Sequence, residues 1–252
     1  MKRNPSKLYS QHVANLRELQ VALDNIARLA KACIASSDPQ KSLRTLLRTY
    51  SFLIGAWAEC RLKKLLNEEF GFSDAERAQI EEKSTQFDQW KEAIDCAFRK
   101  HHSLPKARLN EQTLGVSHAA RRSALRNVLD NELKIIIEIR NKLAHGQWIY
   151  PFNNAGTKVE NDKYQLINKE NLLSLRFKLA LIGHLADAVH ELVVSPATFE
   201  RDFDTHFRHL NQVRVNLQKK DYAKYESSLI ESRKKARERQ KASFSAGVTP
   251  PA

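Results

Sequence analysis

The sequence predicts an all-α protein, an antiparallel helical bundle with a small irregular hairpin or loop insertion and an extended basic C-terminal helix. Three observations predict it. Apolar residues recur every three to four positions over long segments, alternating Val, Ile and Thr runs are nearly absent, and 252 residues hold only seven glycines and seven prolines. A chain of this length buries a full core as one domain with appendages.

The first amphipathic segment runs from about Leu8 to Ala35 and carries Leu16, Leu19, Leu23, Ile26 and Leu29 on one face. Ser36-Ser37-Asp38-Pro39 stops it, and Asp38 as N-cap with Pro39 behind it opens a second helix through Phe52, Trp57 and Leu66, ended by Gly71 and bent at Gly55. Ser73-Asp-Ala-Glu76 has the capping-box form and starts a third helix reaching about Arg99. After a polar loop with Pro105 and Gly115, Ser117 caps a fourth helix that carries Leu125, Leu129, Leu133, Ile136 and Ile137.

From Gln147 to Asn168 the helical pattern lapses. Trp148 to Tyr150 and Tyr164 to Ile167 flank Asn153-Asn-Ala-Gly156, which predicts a small irregular hairpin. A fifth helix spans about Lys169 to Val194, and Ser195-Pro196 opens a sixth through Phe199, Phe203, Phe207 and Leu210, its apolar stripe thinning past Asn216. The division expected is an N-terminal helix over residues 1–37, a bundle over 38–195, a C-terminal helix with a basic end over 196–242 and a disordered tail over 243–252.

A formal net charge of +13 favours polyanionic partners, because each cation set against a phosphate releases counterions. About half of it lies between Arg214 and Lys241, where ten basic residues face four acidic ones, so the body is only mildly basic. The end of that stretch, Arg233 to Lys241, either holds RNA, a ribosome or an acidic partner or simply solubilises the chain. Cys33, Cys60 and Cys96 are odd in number, widely separated and each inside a predicted helix, which fits buried small hydrophobes in a reducing compartment better than disulfides or a metal site. His101-His102 has no third ligand at a metal-binding spacing, so no metal and no cofactor are expected. No signal-peptide core is evident and the longest uncharged run, Thr49 to Ala58, is far short of the roughly 20 residues of a membrane span. The expectation is a cytoplasmic protein without membrane partners.

The most informative segment is Arg140-Asn141-Lys142-Leu143-Ala144-His145-Gly146, at the end of the apolar helix pattern Leu133 to Ile139. An Arg with Asn behind it, followed at this distance by a His with Gly behind it, arises by chance about once in a thousand chains of this composition. Arg201 and His206 repeat the spacing without the Asn and Gly and sit among phenylalanines, as a surface turn would. Helix capping accounts for His145 and Gly146 but not for Arg140-Asn141.

These residues suit RNA chemistry. RNA carries its own nucleophile, the 2′-hydroxyl, so cleavage needs only proton transfer at two oxygens and stabilised charge on the phosphate. Histidine titrates near neutral pH and moves protons, while arginine stays charged and grips phosphate oxygens with a fork of donors. Asn141 and His145 are an i, i+4 pair, so the amide is expected to face the imidazole and to orient it or the phosphate; Arg140 lies about 140° round the helix from His145. One copy therefore looks incomplete, and a symmetric homodimer would bring two histidines and two arginines to one cleft.

The helix ending in Arg-Asn-x-x-x-His-Gly, its bundle context and the aromatic-bearing loop behind it resemble the HEPN superfamily, the higher eukaryote and prokaryote nucleotide-binding domain. The likeness is specific over Glu138 to Trp148 and architectural over Asp38 to Val194. The resemblance implies a metal-independent endoribonuclease, completed by dimerisation, with Arg140, Asn141 and His145 as its catalytic residues. It also implies a place in defence or in toxin and antitoxin pairs, with an antitoxin or defence-system partner, although other members are non-catalytic scaffolds or RNA binders. Lys142, Trp148 and Tyr150 are secondary RNA-binding candidates; the aromatics either stack on an unpaired base or pack under the loop. Glu59, in the apolar stretch near Trp57, either pairs with the motif arginine or lies on a solvated face. The rival reading is a non-catalytic RNA- or protein-binding helical module.

Overall fold

The computed structural model describes residues 6–36, 40–104 and 106–245. In order, its α-helices are α1 (Lys7–Ile34), α2 (Gln40–Leu66), α3 (Asp74–Glu81), α4 (Gln86–His101), α5 (Glu111–Val128), α6 (Lys134–Ala144), α7 (Asn161–Lys169), α8 (Leu172–Val194), α9 (Pro196–Lys219) and α10 (Tyr222–Ser245). A single π-helical turn, Leu129–Leu133, joins α5 to α6. The protein is all-α: among the described residues the only β pairing is one bridge between Phe152 and Val159.

Several elements begin where the capping chemistry predicts. Ser73 and Glu76 form a full capping box at α3, and Pro196 occupies the first turn of α9. The expected Asp38-Pro39 start of α2 lies outside the described residues, as do Pro105 and residues 246–252.

Four boundaries differ from the sequence reading. The segment from Ser73 to Arg99 is two helices, because Thr85 caps a new one, its hydroxyl accepting from the Asp88 amide. The fourth helix is capped by Asn110 in a reciprocal pair with Thr113, not by Ser117, and is interrupted at Gly115, whose φ of 75° is open to glycine at little cost. Tyr164 to Ile167 forms part of α7 rather than a strand, so the hairpin is reduced to the Phe152–Val159 bridge. The sixth helix is two, α9 and α10, divided at Lys220-Asp221, and Ser243 to Ser245 continue α10 instead of starting a tail.

Helix α2 is the centre of the bundle, packed against α1, α6 and α8, while α8 also lies along α9. Its neighbours bury Leu23, Ile54, Leu62, Leu133, Leu185 and Val189 in one continuous core with Trp90, Phe98 and Phe199. Each such side chain contributes about 1.5–3 kcal/mol on leaving water. Phe98 and Phe199 meet edge to face at 6.1 Å, tying α4 to α9. Among the described residues the cysteines form no disulfide; Cys96 is buried and Cys33 and Cys60 only partly so, and burial pushes the Cys96 thiol up to about 12. Arg233 donates to the Ala32 carbonyl at 2.9 Å and holds α10 on α1, while the basic residues beyond it face solvent. No helix among the described residues is long and apolar enough to cross a membrane.

The π turn matters for the site. One extra residue in a turn rotates everything downstream by about 100°, so it sets which face of α6 meets α2. On that face is Arg140.

Candidate functional site

The motif occupies the C-terminal end of α6. His145 is the C-cap and Gly146 follows with a φ of 75°. The Gly146 amide donates to the Leu143 carbonyl at 3.1 Å and the Gln147 amide to the Lys142 carbonyl at 3.0 Å, the paired bonds of a Schellman ending. The glycine is thus explained by capping alone, and the turn it makes leaves His145 on the surface.

Arg140 leaves α6 on the side of α2. A β-carbon on Gly55 would lie 2.4 Å from the arginine's Cβ, so the absence of a side chain there admits the arginine stem. One turn further along α2, Glu59 receives the guanidinium at 2.5 Å, which settles the expectation of a Glu59 partner in favour of the ion pair. The other terminal nitrogen, Nη1, donates to the Asn141 side-chain oxygen at 3.0 Å. The pair is only partly buried, with the arginine side chain 26% and the glutamate 42% exposed, so the guanidinium remains accessible at the price of a weak tether.

Asn141 therefore orients Arg140 in this structure. Among the described residues its side chain makes no hydrogen bond to His145, and the i, i+4 link between the two is the backbone bond from the His145 amide to the Asn141 carbonyl at 3.2 Å. The expected amide-to-imidazole contact is replaced because the neighbouring guanidinium is the stronger donor for that oxygen.

Two grooves meet at Asn141. A polar cleft of about 830 Å³ is lined by His145, Asn141, Glu138, Gln147, Asn153 and Lys163. A smaller groove of about 380 Å³ holds Arg140, Glu59, Lys63, Gln86 and, again, Asn141. The arginine and the histidine thus open on opposite sides of one residue, as their angular separation on α6 requires.

The secondary candidates have structural work. Lys142 pairs with Glu160 at 2.5 Å and also donates to the Phe152 carbonyl. Trp148 donates its indole N–H to the Leu143 carbonyl at 3.0 Å, and Tyr150 stacks on Tyr164 with centroids 5.7 Å apart. Trp148 and Tyr150 nevertheless stay 37% and 53% exposed beside the cleft. Hydrogen bonds from Lys142 and Lys163 hold the Glu160 carboxyl below its usual range. Lys163 is lowered by burial but raised more by Glu160 and Glu138, and so ends above the usual lysine value. The cleft is therefore balanced in charge rather than strongly basic.

Sequence reasoning missed Arg48, which organises the wall of the cleft. It is 4% exposed and donates to the Trp148 carbonyl at 3.2 Å, the Ile167 carbonyl at 2.5 Å and the Asn168 side chain at 2.9 Å. Burial lowers its pKa, and the charge of nearby Glu170 works against that. Nothing local to Leu47-Arg48-Thr49 distinguishes it from a surface arginine.

The motif's rival, Arg201, pairs with Asp202 at 2.7 Å while His206 meets Glu191 at 2.9 Å, so those two residues hold different partners and build no common site. The missing third partner of His101 and His102 does exist in the fold: His118 lies against both. No family model matches this chain, and no curated protein or solved structure matches it either.

Proposed function

We propose that this chain is a metal-independent endoribonuclease of the HEPN type, active as a homodimer in the cytoplasm of a microbe and serving defence or growth control, with an antitoxin or defence-system protein as its partner. The observation that carries the reading is the disposition of the Arg140 to His145 motif. An arginine prepositioned by Glu59 and an exposed histidine at the helix end open into adjoining grooves that share Asn141.

In this reading the Arg140 guanidinium leaves or shares Glu59 to bind the scissile phosphate and its developing negative charge. His145 takes the proton of the 2′-hydroxyl or supplies one to the 5′-oxygen, and its counterpart in the second subunit does the other. Asn141 holds the guanidinium in plane with the phosphate oxygens. The 2′-oxygen forms a bond to phosphorus, the 5′-oxygen leaves with a proton, and the products are a 2′,3′-cyclic phosphate and a 5′-hydroxyl. DNA, lacking the 2′-hydroxyl, is spared.

Dimerisation belongs to the same reading, since one histidine cannot easily serve as both base and acid on opposite sides of the phosphorus. Trp148 and Tyr150 line the approach and offer faces on which an unpaired base stacks. The test is cleavage of mixed RNA in EDTA beside a DNA oligonucleotide of the same sequence. RNA cut and DNA intact supports the proposal; cleavage that stops in EDTA, or that takes DNA, contradicts it.

A second reading is favoured by one specific observation. Arg140 is ion-paired to Glu59 and Lys142 to Glu160, as in a module whose motif serves to hold RNA or a protein without cutting. RNA bound tightly by a folded dimer, with no product at any enzyme concentration, selects that reading.

A further inference from the structure

Away from the motif, three histidines converge. His101 ends α4 and His102 is its C-cap, while His118 lies just past the break at Gly115 in α5. Their rings meet edge to face with centroids 4.9, 5.3 and 4.7 Å apart. One nitrogen from each ring lies within 4.8 Å of one from each of the others. Glu200, reaching from α9, accepts from His118 Nε2 at 2.7 Å and lies 3.1 Å from His101 Nε2, and its other oxygen accepts from Arg121.

One feature separates this cluster from an ordinary surface grouping. The Nε2 atom of His102 is buried and has no hydrogen-bond partner among the described residues, a state that a ligand would relieve.

We propose that His101, His102 and His118, supported by Glu200, bind a zinc-class divalent cation that clamps α4, α5 and α9 together. Imidazole nitrogens suit zinc, whereas magnesium prefers oxygen ligands. Bonds of about 2.0–2.1 Å in a tetrahedral set place ligand nitrogens about 3.4 Å apart, a closure that small side-chain rotations accomplish from the present spacing. Glu200 supplies the compensating charge, as fourth ligand or as acceptor for the ligand rings' N–H groups, and Arg121 fixes its orientation. Arg121 also lies over Phe199 and Phe203, which anchors that orientation in the core. About 40 Å of helix separates His118 from His145, so the clamp is independent of RNA cleavage and compatible with activity in EDTA.

The test uses the full-length protein, stripped with EDTA, dialysed, and titrated with Co2+, Zn2+ or Mg2+. One equivalent of Co2+ should develop the visible absorption of a tetrahedral nitrogen site, and Zn2+ but not Mg2+ should displace it and raise Tm. His102→Ala and His118→Gln, checked for folding by circular dichroism, should lose it, and Glu200→Gln should weaken it about 10- to 100-fold. Removing the other adjacent ring pair with His184→Ala and His209→Ala should leave it intact. A wild-type Tm unmoved by Zn2+, Co2+ binding that survives in His102→Ala, or binding lost with His184 and His209 would overturn the proposal.

Discussion

Gly55 and Arg140 touch where α2 crosses α6, closely enough that a methyl group on the glycine would fall 2.6 Å from the arginine's Cγ. The contact is with the stem of the arginine, close to its backbone, and cannot be relieved by moving a flexible end. Glu59, four residues after Gly55 on the same face of α2, then receives the guanidinium. Gly55→Ala should therefore separate the helices or displace Arg140. Overpacking costs about 1–3 kcal/mol and outweighs the roughly 1 kcal/mol that alanine gains over glycine in a helix. Urea denaturation checks this, and a more stable Gly55→Ala protein would show that the helices adjust freely.

Glu59 competes with phosphate for Arg140. Since a partly exposed ion pair is worth at most about 1 kcal/mol, Glu59→Gln should tighten RNA binding by up to about fivefold. Fluorescence anisotropy with a labelled RNA reads the change. Weaker binding would mean that Glu59 positions the arginine more than it occupies it.

Arg48 holds the segment from Trp148 to Asn168 against α2. Arg48→Met leaves two carbonyls without their charged donor and should cost about 2–3 kcal/mol. Amides of residues 147–168 should exchange faster before the remainder of the bundle does. Arg48→Lys should rescue little of this, because an ammonium cannot span three acceptors as the guanidinium does. Uniform exchange across the whole protein would contradict a local role.

Acid stability should depend on Glu68. Burial raises its pKa, but hydrogen bonds from His190, Lys64 and Tyr9 outweigh that and bring the carboxyl from 4.5 to about 2. A lowered native pKa contributes stability above the unfolded value, so this contribution is complete above pH 4.5 and is lost as pH falls toward about 2. The stability difference between wild type and Glu68→Gln should accordingly be largest at neutral pH and shrink through that window. A difference that stays constant down to pH 2 would contradict the assignment.

The all-α bundle was legible because helical periodicity and caps are local, and the ending at His145-Gly146 was legible for the same reason. The break at Thr85 was hidden by apolar spacing that continues across it, and α7 by aromatic residues that read equally as a strand. Arg48 and the third histidine could not be found locally. Arg48 is buried only because the chain returns 100 residues later to offer Trp148 and then Ile167 as acceptors. His118 lies 16 residues beyond His102, a spacing that carries no ligand signature until the loop folds α5 back on α4. The pairing of Asn141 with Arg140 rather than His145 was invisible because spacing says which side chains share a face, not which donor wins.

The central claim is chemical and is tested by the ends of the RNA products. Purified protein, with Arg140→Ala and His145→Ala beside it, is incubated with tRNA, ribosomal RNA and single-stranded RNA in EDTA, and the fragments are read by mass spectrometry. The account predicts 2′,3′-cyclic phosphate and 5′-hydroxyl ends. It also predicts rates lower by about 10²- to 10³-fold in Arg140→Ala and by about 10²- to 10⁴-fold in His145→Ala. Intact RNA with folded, dimeric wild type, or equal cleavage by His145→Ala, would contradict it.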